Sequence, residues 1–178
     1  MGDKEANIYI RHSTREDCFE IGRKLRKDDY IELCHIYGVD EKPGWILDSE
    51  RMAHQDETFT LLINDEIVGL GGCAETQPGV GCPWFMGTDC VGKYRFSFHS
   101  VALHLVEYWR SQFAILSNFV WDGSASKPWL ERIGFAMMPE ISYVTESGGE
   151  FRRFYLSGED KECVDSPPSC SASKQQVP

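Results

Sequence analysis

Residues 84–135, WFMGTDCVGKYRFSFHSVALHLVEYWRSQFAILSNFVWDGSASKPWLERIGF, carry the clearest structural pattern in the chain. They predict a strand near Trp84–Thr88, a long helix, a strand over Ala114–Trp121 and a short helix. The long helix has a continuous apolar face at helical spacing, formed by Phe98, Val101, Ala102, Leu105 and Trp109. A strand, a crossover helix and a second strand form a βαβ unit with parallel strands. We expect any site at Thr88–Arg95, because strand ends and unpaired helix N–H groups meet there.

The overall composition argues against several kinds of partner. The 178 residues suffice for one domain with a core, and 42% of them are hydrophobic and 26% charged. The formal net charge is −10, which opposes binding to nucleic acid and to anionic lipid. The sequence has no apolar run long enough to predict a membrane-spanning helix.

The cysteines and histidines predict neither a disulfide framework nor a metal site. The seven cysteines are odd in number and include no Cys-x-x-Cys motif, which favours a reduced cytosolic protein. The five histidines show no zinc-ligand spacing, and His99 and His104 fall on different faces of the long helix. We therefore expect no bound metal.

The N-terminal half is predicted to contain a strand, three helices and a hairpin. In order, the pattern indicates a strand (7–11), a helix capped by Ser13 and Glu16, a helix from Asp28 to Gly38, a helix from Pro43, a hairpin of strands 58–64 and 67–74, and a loop (75–83). The second helix has an apolar face made of Tyr30, Leu33, Cys34 and Tyr37. We expect this face to be buried.

The C-terminal part is predicted to end in a second hairpin and a tail. Strands over 136–145 and 151–157 flank a Ser-Gly-Gly-Glu turn. The complete order is β-α-α-(α)-β-β-β-α-β-α-β-β, which predicts an α/β fold with a mixed sheet and helices on both faces. We expect one domain over residues 1–157. Residues 158–178 are acidic and rich in Ser and Pro, with almost nothing apolar, and are predicted to be a disordered tail.

The element order resembles the GNAT N-acyltransferase superfamily. Three motifs support the resemblance: Leu25-Arg26-Lys27-Asp28-Asp29, Pro83-Trp84-Phe85-Met86-Gly87-Thr88-Asp89, and Trp129-Leu130-Glu131-Arg132-Ile133-Gly134-Phe135. They are similar in particular to a phage branch of the superfamily, the internal virion protein A family of short-tailed phages. The resemblance covers residues 7–157, and it implies a GNAT-like fold around the central βαβ unit.

The resemblance also implies where coenzyme A would bind. GNAT enzymes hold its pyrophosphate at the start of the long helix, with a Gln/Arg-x-x-Gly-x-Gly/Ala motif. Glycines there let the backbone N–H groups approach the phosphates. In this chain the nearest register starts at Arg95 and places Phe98 and Ser100 at the two glycine positions, and Asp89 adds an opposing charge. If acetyl-CoA binds, the resemblance assigns it to Val91, Gly92, Lys93, Arg95 and Ser100.

The catalytic residues are less clearly indicated. Many GNAT enzymes place a general acid, a tyrosine, four residues before the glycine of the Gly-Phe pair, and Leu130 occupies that position. Tyr143 or Cys90 could replace it. Glu75 and Asp122 are candidate general bases by position only. An asparagine expected at the start of the short helix is replaced by Gly123.

The remaining candidates line the expected opening between the two central strands. They are Trp84, Thr88, Asp89, Trp121 and Trp129, which form either a core and turns or a pocket or partner surface. We expect a phage virion or assembly protein with a degraded coenzyme A site, located in the host cytoplasm or on the virion, with a phage or host protein as partner. The alternatives are an active acetyl-CoA-dependent N-acyltransferase that modifies an amine, and a small-molecule or peptide-binding module. The expected cofactor is accordingly none or acetyl-CoA.

Overall fold

The computed structural model describes residues 6–38, 42–54 and 57–157. These residues form β1 (Ile8–His12), α1 (Arg15–Arg23), α2 (Lys27–Tyr37), α3 (Pro43–Ala53), β2 (Thr58–Ile63), β3 (Glu66–Gln77), β4 (Val80–Gly87), α4 (Cys90–Lys93), α5 (Arg95–Gln112), β5 (Ile115–Trp121), α6 (Lys127–Arg132), β6 (Ala136–Met137), β7 (Tyr143–Val144) and β8 (Glu150–Ser157). The predicted tail, 158–178, lies outside the described residues.

One mixed sheet runs through the molecule in the order β1-β2-β3-β4-β5-β8-β6, and β7 also pairs with β8. Only β4 and β5 are parallel neighbours; the other pairs in the described ranges are antiparallel. Side chains alternate across β4, so Trp84 and Met86 pack with α1 and α3, whereas Phe85 packs with α5. The predicted α/β class, with helices on both faces, is confirmed.

The β4 and β5 strands touch at one end and separate at the other. They pair only at Val80 with Ile115 and at Gly81 with Leu116, and α5 connects them. Beyond that point the Asn118 side chain donates a hydrogen bond to the carbonyl of Pro83, 2.9 Å away. The predicted parallel βαβ unit, open at its carboxyl end, is therefore present.

Three local predictions were wrong. Residues 75–83 are not a loop: β3 runs to Gln77 and β4 begins at Val80, around a tight turn in which Gly79 has a φ of +77°. The first helix is capped by Thr14, whose hydroxyl accepts from Asp17 N–H, so the capping box lies one residue later than predicted. The predicted strand 136–145 is broken into β6 and β7.

The buried face of α2 is also different from the prediction. The helix buries Asp29 and Leu33, whereas Tyr30 and Tyr37 are 43% and 39% exposed. In the described ranges no helix is long and apolar enough to cross a membrane. The same ranges contain no cluster of three or more His, Cys, Asp or Glu side chains suited to bind a metal ion.

Candidate functional site

A cleft opens where β4 and β5 separate. Its volume is about 1670 Å³, and its walls come from α2, α3, β4, β5, α5 and α6, among others. The volume is ample for a small-molecule ligand. The space exists because two parallel strands that share only two paired positions leave their carboxyl ends without mutual hydrogen bonds.

Helix α2 supplies acceptors to the carboxyl ends of both strands. Asp29 Oδ2 accepts a hydrogen bond from Gly87 N–H, the last residue of β4, at 2.6 Å. Glu32 Oε2 accepts one from Trp121 N–H, the last residue of β5, at 3.2 Å. Asp29 and Glu32 are three residues apart and therefore share one face of the helix. Together they bridge the mouth of the cleft.

Two of the sequence motifs meet at this bridge. Arg26 forms an ion pair with Asp29 at 2.8 Å, and its backbone N–H donates to the carbonyl of Gly87 at 2.9 Å. Leu25 forms a β-bridge with Thr88. The buried Thr88 hydroxyl donates to the backbone carbonyls of β3. The Leu-Arg-x-x-Asp and Gly-Thr-Asp segments thus fix α2 to the end of β4.

The Asp29 and Glu32 carboxyl groups differ in how many hydrogen bonds their oxygens accept. Both oxygens of Asp29 are engaged by Arg26, and one of them also by Gly87. Burial raises the pKa of Asp29 against the opposing effect of Arg26. Loss of hydration raises the pKa of Glu32 to about 7; the Trp121 N–H opposes this rise and the Asp29 charge adds to it. Sequence reasoning missed Glu32, because its partner at the end of β5 lies 89 residues further along the chain and no local pattern in α2 indicates it.

The start of α5 forms the opposite wall of the cleft. No side chain caps this helix, and its first turn contains no acidic residue, so the N–H groups of Arg95, Phe96 and Ser97 lack a capping acceptor. Arg95 lines the cleft, and within the described ranges it forms no ion pair.

The other residues assigned to the coenzyme lie near this end of the helix, with different surroundings. Val91 and Gly92 line the cleft. Lys93 is paired with Glu66 at 2.6 Å. Ser100 is exposed, and its carbonyl lies 2.7 Å from His104 Nδ1. Asp89 is exposed and also lines the cleft, so a carboxylate and the Arg95 guanidinium face the same space.

Phe98 points into the core and away from the first turn of α5. Its ring stacks on Trp129 with 5.1 Å between centroids and packs on Phe85 at 5.0 Å. Phe85 in turn lies across Gly69 and Gly71, where a Cβ would overlap its ring. Phe98 is 6% exposed, so it serves the core and leaves the helix N-terminus open.

The candidate acids and bases have separate surroundings. Glu75 Oε1 accepts from Gly79 N–H at 2.9 Å and so holds the β3–β4 turn, at the closed end of the strand pair. Asp122 binds Lys127 at 2.6 Å and Arg152 at 2.5 Å, and these hydrogen bonds lower its pKa, with Arg152 the larger cause. Each of these two carboxylates serves a structural contact.

The residues considered as general acids are also spread apart. The Tyr143 ring lines the cleft and stacks on Phe151, 4.8 Å between centroids. Leu130 is buried in the core, and the Cys90 thiol lies 3.5 Å from Glu66. Gly123 lies under the Trp121 indole, which a Cβ at position 123 would overlap.

The three tryptophans have different surroundings. Trp84 packs with the residues of α1 and α3, Trp129 stacks on Phe98 on the opposite face of the sheet, and Trp121 contacts His35 at a centroid distance of 5.7 Å. Trp84 and Trp129 both line the cleft, from opposite faces of the sheet. The sheet itself separates Trp84 from Trp129, because their side chains lie on different faces of it.

The fold matches solved structures of acetyltransferases, whereas no protein-family model and no curated protein matches the sequence. Spermidine N-acetyltransferase from Vibrio cholerae, in complex with CoA and spermine, aligns with a TM-score of 0.60 at 9% identity, covering 84% of this chain and 95% of that one. The ribosomal-protein-S18-alanine N-acetyltransferase from Escherichia coli gives 0.59 at 13% identity, covering 88% and 97%. A GNAT-family acetyltransferase from Bacillus anthracis gives 0.64 at 9% identity, covering 84% and 94%. The chain has the GNAT acetyltransferase fold.

Proposed function

We propose that this protein is an acetyl-CoA-dependent N-acetyltransferase that acts on an amine. The observation that carries the proposal is the cleft between β4 and β5, which opens beside the uncapped N-terminus of α5. Structures with this fold include one in complex with CoA and spermine. Fold alone does not imply an activity, so the proposal depends on how the residues at the two ends of the cleft fit the two substrates.

The α5 end of the cleft fits an anionic group such as the pyrophosphate of acetyl-CoA. The N–H groups of Arg95, Phe96 and Ser97 are available donors, and the positive end of the helix dipole favours an anion there. Arg95 adds a positive charge that no carboxylate neutralises within the described ranges. Lys93 contributes less because Glu66 already balances it. Asp89 opposes an anion from the same wall.

The α2 end of the cleft fits a cationic amine. Asp28, Asp29 and Glu32 line the cleft from α2, and Glu50 lines it from α3. Carboxylates at an entrance attract a protonated amine at long range. Two of the structural neighbours described above are named for amine substrates, spermidine in one and the alanine of a ribosomal protein in the other. We therefore place acetyl-CoA at the α5 end and the amine at the α2 end.

Calorimetry of acetyl-CoA against the purified protein tests this proposal. We expect a micromolar Kd. Arg95→Ala should weaken binding about fivefold because it removes an attractive charge, and Asp89→Asn should strengthen binding about fivefold because it removes a repulsive one. A single charge at a solvated site contributes about 1 kcal/mol. Arg110→Ala, at the other end of the same helix, serves as the control and should leave the Kd unchanged.

The alternative is that the fold serves as a scaffold in a phage virion or its assembly, with no coenzyme. This alternative requires Phe98 and Asp89 to obstruct the pyrophosphate. Because Phe98 packs in the core, only Asp89 opposes the anion, and we favour the enzyme. Failure of both the wild type and Asp89→Asn to bind acetyl-CoA would reject the enzyme in favour of the scaffold.

A further inference from the structure

We propose that Glu32 is the general base of this site, the group that accepts the proton which the acceptor amine loses. This inference rests on the N-acetyltransferase function proposed above and assigns one residue to its chemistry. It also places the amine: the acceptor nitrogen would lie in the cleft beneath α2, near the carboxyl end of β5.

The position of Glu32 suits this role because one carboxylate oxygen is fixed and the other is open. Oε2 accepts from Trp121 N–H at 3.2 Å, which holds the side chain over the end of β5. Oε1 makes no hydrogen bond with the described residues, and Glu32 lines the cleft. Every fully buried side-chain oxygen or nitrogen in the described ranges has a hydrogen-bond partner. Since Oε1 has none, it is not fully buried, and it has access to the cleft and to a substrate or water in it.

The neighbouring acids are committed to structural contacts. Asp29 is bound by Arg26 and Gly87, and Asp28 accepts from Ala125 N–H at 2.8 Å. The charged groups that act on Glu32 are Arg26, which immediately precedes α2, and Asp28 and Asp29 on α2, while β5 supplies an N–H and no charge. His35, on the same helix, packs against Trp121.

The ionisation of Glu32 fits the task as well as its position does. A general base works best when its pKa lies near the operating pH, and the pKa of Glu32 is raised to about 7. Glu75 also lines the cleft, but its Oε1 holds the β3–β4 turn at the closed end of the strand pair, away from the opening, and Asp122 binds two cations.

Glu32 takes up one proton for each acetyl group that is transferred. The acceptor, drawn in as an ammonium ion, first releases one proton to solvent. The neutral nitrogen then uses its lone pair to form a bond to the acetyl carbonyl carbon, and the carbon–sulfur bond breaks with its electron pair remaining on sulfur. Glu32 accepts the proton released from nitrogen, directly or through one water. The leaving thiolate takes up a proton from solvent, and Glu32 returns its proton to solvent. The products are the N-acetylated amine and the free thiol, with no other reactant required.

The test compares Glu32→Gln with the wild type, because glutamine keeps an acceptor for Trp121 N–H and removes the base. With a polyamine and a peptide bearing a free N-terminus as acceptors, wild-type kcat/KM should rise with pH through an apparent pKa near 7. Glu32→Gln should lower kcat/KM at least 100-fold and abolish that rise, while the Kd for acetyl-CoA stays within twofold. The exposed Glu107→Gln on α5 is the matched control and should behave as wild type.

A second readout needs no turnover. In ¹³C NMR of the side-chain carboxyl groups, the resonance lost in Glu32→Gln should titrate near pH 7 in the wild type. A midpoint near 4.5, or a Glu32→Gln enzyme that keeps the rate and the pH dependence, would overturn the assignment of Glu32 while leaving the acetyltransferase standing. Absence of acetyl-CoA binding would instead reject the proposed function itself. Acetyl-CoA binding with no acetylation of either amine would also count against Glu32 as the base.

Discussion

At the scale of single residues, Asp29 explains how α2 and β4 are held together. Gly87 is the last residue of β4, and its N–H is buried, so it requires an acceptor. Asp29 supplies one at 2.6 Å, and Arg26 supplies the positive charge that a buried carboxylate requires. The three groups form one small network in which each satisfies another. Removing Asp29 leaves both of the other groups without an acceptor, since the Arg26 side chain and Gly87 N–H each bind to it.

Asp29→Ala should therefore destabilise the protein by about 3 kcal/mol, because it leaves both a buried N–H and a partly buried guanidinium unpaired. Urea unfolding monitored by circular dichroism measures the change. Asp28→Ala is the neighbouring control, since Asp28 forms a more exposed hydrogen bond to Ala125 N–H and should cost about 1 kcal/mol. Equal losses in the two variants would show that the network around Gly87 contributes no special stability.

Phe98 shows how two sequence patterns can conflict at one residue. The motif register placed it beside the pyrophosphate, whereas the apolar periodicity of the helix placed it on the core face. The periodicity was right, because α5 begins at Arg95 and Phe98 falls a turn inside it, stacked on Trp129. Hydrophobic spacing reports which face is buried, while a motif with missing glycines does not fix where a side chain points.

At the scale of elements, α2 was predicted well in extent and poorly in orientation. The predicted helix from Asp28 to Gly38 corresponds to the observed Lys27–Tyr37. Its tyrosines, however, are exposed and its acids face the strands, because the N–H groups at the ends of β4 and β5 need acceptors. Those strands lie 50 to 90 residues further along the chain, so no local pattern in α2 could indicate them. Local propensity gives a helix, and distant partners decide its buried face.

The β3–β4 connection shows a similar limit. Its prolines and glycines predicted a loop over residues 75–83. The structure instead forms a hairpin with an irregular register between Glu75 and Gln77, and the turn is held by Glu75 and Gly79. A bulge interrupts the period-two alternation on which strand prediction relies. Pro83 is accommodated within β4, although proline weakens any strand prediction.

The ionisation of Glu32 should also be visible in the stability of the fold. Its pKa is about 4.5 when unfolded and about 7 in the folded protein. Between these values the folded state binds more protons than the unfolded state, so the free energy of unfolding falls as pH rises from about 4.5 to 7 and is level above that. Glu32→Gln removes this loss, because glutamine does not titrate.

We therefore expect the free energy of unfolding of Glu32→Gln, relative to that of the wild type, to increase with pH. The increase between pH 4.5 and pH 8 should be about 1–3 kcal/mol, given ~1.4 kcal/mol per pKa unit. Urea unfolding at a series of pH values measures the difference, and Glu107→Gln is the control. A constant difference between Glu32→Gln and wild type across this range would mean that Glu32 titrates normally.

At the scale of the whole molecule, the sheet consists of two antiparallel halves joined at a weak seam. The β4 and β5 strands share two paired positions, and the Asn118 side chain adds one hydrogen bond across the gap. Helix α2 bridges the open end, and α5 connects the halves covalently. The order of elements and the parallel central pair were predictable, because periodicity and chain connectivity are local properties. The convergence of Asp29 and Glu32 on the seam was not, since it depends on the assembled sheet.

The boundary of the domain, predicted at residue 157, can be tested by truncation. Ser157 is the last residue of β8 and pairs with Ile115, beside the paired end of β4 and β5. A chain ending after Gly158 keeps every pair of the sheet. Because residues 159–178 carry almost no apolar side chains, they can add little buried surface. We expect the truncated protein to melt within about 1 °C of the full chain and to bind acetyl-CoA with the same affinity.

A chain ending after Arg153 is the matched comparison. It loses Phe154, which is 6% exposed and packs in the core formed by α5, α6 and β5, together with the pairs between Leu156 and Leu116 and between Ser157 and Ile115. Loss of a buried phenylalanine costs about 3–5 kcal/mol, and about 1 kcal/mol shifts the melting temperature of a domain of this size by roughly 2–4 °C. This second truncation should therefore lower the melting temperature by about 10 °C or more. If the cut after Gly158 caused a fall of similar size, the tail would belong to the folded domain, and the boundary at residue 157 would be wrong.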